Sequence, residues 1–324
     1  MSNKVTVVMY HYVRELKYSR FPEIKGLDAS LFKEQVAFLM KHYNFITVEQ
    51  LIDSNNNNTA LPPKSCLLTF DDGYIDHFTN VFPILNKYKI QGAFFPPIEA
   101  VTSHKVLDVN KIHFILAAVA DKKQIITTLF KYLNTFRKDY ELLPDDEYLK
   151  RLAIPTRMDT AEVMFIKRML QYELDEQLRN KITDLLFTEI LKTDEESFSK
   201  ELYMNEDQLK CMLMNGMHIG SHGLTHCWLG KTEAPKQKAE IEASVDFLKK
   251  IGVDQNYLSI CYPFGSYNSD TLSLLSQYNF KAGFTTEVNI AQPTNSNRFT
   301  LPRLDTNDLP KDASAVANDW FAKG

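Results

Sequence analysis

Cys66-Leu67-Leu68-Thr69-Phe70-Asp71-Asp72-Gly73 is the stretch from which the rest of this chain is read. Residues 66–70 form a short apolar run closed by a turn signal, which is the pattern of a buried strand. Two adjacent carboxylates therefore stand at the end of a strand, where α/β folds gather their chemistry. About 150 residues later, His222-Gly223-Leu224-Thr225-His226 follows a second strand-like run, Met217-His218-Ile219-Gly220. One carboxylate with two imidazoles is a common three-ligand set for a catalytic Zn²⁺, the fourth position being left to water. The second carboxylate of the Asp pair is then free to act as a base on that water. A hydrolase is the expectation.

Working outward, residues 5–9 read as a buried strand rich in β-branched side chains. Residues 31–43 carry Phe32, Val36, Leu39 and Met40 at helical spacing, with Ser30 as the expected cap. Thr47-Val48-Glu49-Gln50 has the form of a capping box that opens a short helix. A polar loop is expected over 55–63, a helix over 75–88 and a strand over 93–95. The last third repeats the alternation: strand 217–220, helix 235–250, strand 257–261, helix 269–278 and strand 282–285. Strands alternating with helices predict a parallel sheet, as a barrel or a doubly wound form.

Between residues 104 and 203 the character changes. This stretch has no glycine and reads as helices, with apolar spacing in Ile125, Ile126, Leu129 and Leu133 and again in Leu178, Ile182, Leu185 and Leu186. It is expected to be a helical insertion within a single domain of residues 1–324. It would serve as packing or an oligomer surface, or as a cap over the site.

At 44% hydrophobic and 24% charged residues, the 324-residue chain has the balance of a globular protein with a sizeable core. A net charge of −4 gives no electrostatic footprint for nucleic acid or an anionic membrane. Cys66, Cys211, Cys227 and Cys261 lack CxxC pairing, so neither a disulfide framework nor a thiolate zinc site is indicated. Cys227, beside His226, is an alternative soft ligand. The N-terminal apolar run is too short for a signal peptide and no stretch approaches the roughly 20 apolar residues of a membrane span. The expected location is cytoplasmic.

Together these residues resemble the polysaccharide deacetylase family, the NodB-like carbohydrate esterases that remove N-acetyl groups from sugars. The resemblance covers roughly residues 1–100 and 210–305 and implies a distorted (β/α) barrel. Thr69-Phe70-Asp71-Asp72-Gly73 is similar to the family's first motif, which implies Asp71 as general base and Asp72 as metal ligand. His222 and His226 resemble its paired metal histidines, with Gly223 where Ser or Thr is usual. Cys261-Tyr262-Pro263-Phe264-Gly265 resembles a third motif of the form Arg-x-Pro-Tyr, with Cys261 at the Arg position. It implies that Tyr262, Pro263 and Phe264 lie at the substrate, the Phe264 N–H contributing to an oxyanion hole. Tyr74, next to Gly73, is a further candidate there.

The missing guanidinium leaves Asp71 without its usual neighbour. Arg303, in Leu301-Pro302-Arg303-Leu304-Asp305, resembles a late Leu-Pro-Arg element of some members and is the candidate replacement; a structural ion pair is the alternative. No His follows His226 to supply the family's C-terminal acid. Val7-Val8-Met9-Tyr10-His11 instead ends an N-terminal strand in His, which resembles the permuted poly-N-acetylglucosamine deacetylases and implies His11 as general acid. His42, His77, His104, His113 and His218 are expected to lie outside the ligand set. Phe94-Phe95-Pro96-Pro97 reads as core and loop before sugar platform.

The resemblance thus implies a metal-dependent enzyme removing an N-acetyl group from an amino sugar or glycan precursor. The metal would be Zn²⁺, with Co²⁺, Ni²⁺ or Fe²⁺ also fitting an Asp-His-His set. A deformylase of a lipid- or nucleotide-linked sugar and a non-catalytic carbohydrate-binding relative are the competing expectations.

Overall fold

The computed structural model describes residues 3–156 and 159–324, which divide into two compact units. The first comprises Met1–Glu15, Gly26–His104 and Ser199–Gly324; the second comprises Leu16–Lys25 and Lys105–Phe198. The polar loop after the first strand therefore belongs with the helical stretch, whereas residues 199–203 belong with the strands.

Seven of the parallel strands in the first unit follow one another around its core: β1 (Val5–Tyr10), β2 (Ser65–Asp71), β3 (Gly92–Phe95), β4 (His218–Ile219), β5 (Ser259–Cys261), β6 (Ala282–Phe284) and β7 (Leu304–Asp305). β7 pairs with β1 at Val8↔Leu304, β1 with β2 at Val8↔Leu68, β2 with β3 at Leu68↔Gly92, and β3 with β4 at Ala93↔His218. β5 pairs with β6 at Ile260↔Gly283. Single parallel bridges at Ser221↔Ile260 and Phe284↔Leu301 join the two runs into a ring. A barrel that holds at two places by one bridge each is the distorted form expected from the sequence.

Strand parity sorts the core into an inside and an outside, because successive side chains point to opposite faces. Val5, Val7, Leu67, Phe95, Cys261, Phe284 and Leu301 share one buried cluster in the barrel interior. Val8, Tyr10, Cys66, Leu68, Phe70, Phe94, Ile219 and Ile260 share another, facing the surrounding helices. With both faces covered, β1 and β2 are buried at every residue, which is why they read as continuous runs. Asp71 and Arg303 have the interior parity of Leu67 and Leu301.

Local signals explain where the helices begin. Ala29–His42 is capped by Asp28, whose side chain accepts from Ser30 N, so Ser30 itself is already helical. The capping box of Thr47 and Gln50 opens Val48–Asn57, which carries helix into the stretch expected to be loop. After the Asp pair the chain forms a π-turn at His77–Val81 before the helix Phe82–Tyr88. The strand expected over 257–261 is only Ser259–Cys261.

The second unit contains helices Asp108–Ala118, Lys122–Thr135, Asp145–Leu152, Ala161–Arg168 and Glu176–Leu191. Ile125, Leu129 and Leu133 are buried, as are Leu178, Ile182 and Leu186. Lys111 is buried among the carboxylates of Asp184 and Glu195, the latter at 2.8 Å. Among the described residues no helix is long and apolar enough to cross a membrane.

Candidate active site and metal centre

β2 delivers two neighbouring carboxylates to one place by breaking its own alternation. In an extended strand Asp71 and Asp72 would face opposite sides. The chain instead enters the left-handed region at Asp72 (φ 71°) and Gly73 (φ 70°), which turns the second carboxylate back toward the first. Asp tolerates this region better than most residues. Gly73 is required twice over, since a Cβ there would also stand 2.7 Å from Pro96 Cβ.

His222 and His226 sit on a loop beyond β4, not on a helix. Asp72 Oδ1 lies 3.4 Å from His222 Nε2 and 3.3 Å from His226 Nε2. The three donor atoms lie within 4.8 Å of one another, all on buried side chains. His222 Nδ1 donates to the Cys261 carbonyl at 2.7 Å, which leaves its Nε2 lone pair aimed at the centre. Tyr74 donates to the other Asp72 oxygen, Oδ2, at 2.6 Å, leaving Oδ1 for a cation. One carboxylate oxygen and two imidazole nitrogens, with Asp72 and His222 each oriented by a second hydrogen bond, suit a divalent transition metal. Among the described residues this is the one such cluster, and Cys227 is outside it, its thiol accepting from Thr232 Oγ1 at 3.7 Å.

Burial alone would raise the Asp72 carboxyl, but the adjoining His222 and His226 imidazoles hold it well below the usual range. The two imidazoles move oppositely. Burial depresses His226, whereas at His222 the Asp72 and Asp71 carboxylates overcome burial and raise it.

Beside this cluster Asp71 is 2% exposed and Arg303 is 0% exposed. The guanidinium meets the carboxylate at two points, Nη1 to Oδ1 at 2.9 Å and Nη2 to Oδ2 at 2.7 Å. Nε donates to Thr285 O at 2.8 Å, and Nη1 also reaches Thr69 Oγ1 and Cys261 Sγ, both at 3.1 Å. Burial pushes the Asp71 carboxyl up, yet Arg303, with His222 and His11, brings it down to about 2. His11 is half-buried just past β1 and adds its field to both Asp71 and Asp72. Its carbonyl accepts from His77 Nε2 at 2.8 Å, so a buried imidazole fixes the backbone that carries it.

Three residues expected at the substrate are placed otherwise. Tyr74 is fully buried and turned to Asp72, because the hydroxyl of a buried Tyr must find a partner. Tyr262 is 1% exposed and donates to Phe299 O at 2.7 Å, and Pro263 is buried beneath the turn. Of Tyr262, Pro263 and Phe264, Phe264 alone reaches the site's edge, half-buried with φ 57°. That backbone is strained for a bulky side chain. Its ring stacks on Trp228 at 4.3 Å and meets His226 edge-on at 4.7 Å. His218 lies elsewhere, held by Ser259 Oγ at 2.7 Å and Glu49 Oε1 at 3.2 Å.

Sequence reasoning missed two groups. His77 left no signal, since nothing local announces that a π-turn will tuck it under His11. Glu240 sits with buried Gln237 and Ser244 on one face of the helix Ala234–Ile251, a polar stripe spaced by three and four. That spacing was readable, but its target was 15 residues away in a loop.

Comparison with known proteins identifies the family and the fold. Residues 58–128 and 187–283, just over half of the chain, match the family described as polysaccharide deacetylase. Over 96 residues the chain is 31% identical to the poly-beta-1,6-N-acetyl-D-glucosamine N-deacetylase of Escherichia coli (strain K12). That match spans 29% of this chain and only 14% of the relative's length. Among solved structures, the Streptococcus pyogenes deacetylase PplD, in complex with acetate, superposes with a TM-score of 0.57 at 19% identity. The alignment covers 96% of this chain and 94% of that one. IcaB from Ammonifex degensii gives 0.56 at 17% identity, covering 99% and 95%. At these identities the likeness is one of fold.

Proposed function

The chain belongs to the polysaccharide deacetylase family, and from that premise we propose that it is a metal-dependent hydrolase that removes N-acetyl groups from an N-acetylglucosamine-type glycan or its precursor. The observation that carries this reading is the buried Asp71–Arg303 pair standing beside the converging Asp72, His222 and His226 donors.

Asp72, His222 and His226 would hold the metal, with Zn²⁺ the best fit to one carboxylate and two imidazoles. A divalent cation there supplies Lewis acidity toward the amide carbonyl and makes water acidic near neutral pH. Asp71 is ionised at any physiological pH, since Arg303 keeps its carboxyl at about 2. It is therefore available to accept the proton of the attacking water, and the two-point pair fixes the direction in which it accepts. The Phe264 N–H, presented by a left-handed turn, would donate to the oxygen that gains charge, a contribution typically worth about 3–4 kcal/mol. His11 would pass a proton to the departing amine nitrogen, a step commonly worth about 10²–10⁴-fold. Tyr262 and Pro263 support the turn without meeting substrate. The helical unit, Leu16–Lys25 with Lys105–Phe198, is proposed as the insertion that distinguishes this chain from a bare barrel.

The E. coli relative's name specifies poly-beta-1,6-N-acetyl-D-glucosamine, which favours an N-acetylglucosamine substrate over a formylated one. Incubating the zinc-loaded protein with β-1,6- and β-1,4-linked N-acetylglucosamine oligomers and measuring acetate by mass tests the reading. Acetate release above a metal-stripped control is expected. Its absence from every acetylated glycan, with the metal bound, would sink the reading.

A further inference from the structure

Two histidines four residues apart meet on one ion easily when they lie on a helix, where i and i+4 share a face and the backbone satisfies itself. His222 and His226 have no such help. Their loop takes φ values of 77° at Gly223 and 60° at His226, so its amides and carbonyls must find partners outside it. The carbonyls of Gly223 and Leu224 accept from Ile98 N at 3.2 Å and Glu99 N at 3.0 Å. The amides between the two histidines turn the other way. Leu224 N and Thr225 N donate to the same oxygen, Glu240 Oε2, at 2.8 and 3.0 Å, and Thr225 Oγ1 donates to Glu240 Oε1 at 2.6 Å.

Glu240 is 2% exposed, and among the described residues no Lys or Arg pairs with it. Burying a carboxylate is costly unless its lone pairs are engaged, and here every engagement is with the segment between the two imidazoles. The fit is tight: a Cβ on Gly223 would stand 3.2 Å from Glu240 Oε2. The carboxylate thus does for this loop what internal hydrogen bonds do for a helix.

We propose that Glu240 is a positioning residue that folds the His222–His226 loop onto one metal ion, and so sets metal affinity without touching metal or substrate. This rests on the metal site proposed above. Outer partners of metal ligands commonly change affinity about 10- to 100-fold when removed.

The test compares wild type, Glu240→Gln, Glu240→Ala and Thr225→Val, all as full chains. The zinc dissociation constant is measured by chelator competition, and the Co²⁺-substituted proteins give a visible absorption spectrum of the site. Glu240→Ala is expected to weaken zinc binding about 10- to 100-fold and to alter the Co²⁺ spectrum. Glu240→Gln, whose amide oxygen still accepts both N–H groups, should restore most of both. Wild-type affinity and spectrum in a folded Glu240→Ala protein would overturn the proposal. If that variant does not fold, Thr225→Val decides: weaker binding supports the role, and unchanged binding with an unchanged spectrum overturns it. A wild-type protein that binds no zinc would instead remove the functional reading, and this inference with it.

Discussion

Arg303 and Asp71 are 232 residues apart in sequence, yet they meet as a two-point ion pair with neither side chain open to solvent. The guanidinium comes from just before β7 and the carboxylate from the end of β2, so β1 alone separates their strands. Cys261 contributes only a small thiol that accepts from the guanidinium. The cation that meets Asp71 thus comes from position 303 and not from position 261.

Removing one member of a buried pair leaves the other uncompensated, which typically costs about 3–5 kcal/mol. Arg303→Met should therefore lower unfolding free energy by about that amount in urea titrations and suppress turnover. Arg303→Lys keeps the charge but cannot form two parallel hydrogen bonds, so it should recover stability better than activity. A shift under about 1 kcal/mol in Arg303→Met would place the pair among those of little energetic weight.

Asp71→Asn keeps the shape of the side chain and removes its basicity. Acetate release should fall at least about 10²-fold, while zinc content by elemental analysis stays stoichiometric. Loss of the metal along with activity would move Asp71 from base to ligand.

Tyr74→Phe deletes only the hydroxyl that occupies Asp72 Oδ2. Zinc affinity should drop about tenfold, with about 1 kcal/mol of stability lost. Unaltered zinc binding in a competition titration would show that Asp72 needs no such partner.

Burial holds the His77 imidazole neutral, with its pKa brought down to about 4 from the ordinary 6.5. The unfolded chain therefore binds a proton more readily than the folded one between those values, and stability is lost as pH falls from about 6.5 toward 4. The loss from this residue is on the order of 3 kcal/mol. His77→Gln retains a donor toward the His11 carbonyl without titrating, so its stability should vary less over that window. Equal slopes for both proteins in denaturation at pH 7, 6, 5 and 4 would assign the acid sensitivity elsewhere.

The strands and the carboxylate–imidazole cluster were legible because each follows from short-range pattern. β1 and β2 are buried on both faces and so read as unbroken apolar runs, and their ends carry the polar residues. Arg303 was legible only as a candidate, since its partner depends on the ring closing between β7 and β1. Tyr74 and Tyr262 were misplaced because adjacency to a motif does not reveal the direction of a side chain; burial and a need for a hydroxyl partner decided both. Glu240 and His77 were missed for a related reason. Each acts on the backbone of another residue, and a backbone contact leaves no trace in the identity of the residue contacted.

The seam between β1 and β7 also orders events in time during synthesis. A nascent chain that has emerged through His226 already carries Asp72 and both imidazoles, whereas the guanidinium for Asp71 is translated 77 residues later, at position 303. On reaching His226 the chain still lacks Glu240 and Cys261, which hold the His222–His226 loop, as well as Arg303, which pairs with Asp71. The buried pair beside the carboxylate–imidazole cluster is therefore completed only when the last strand docks beside the first.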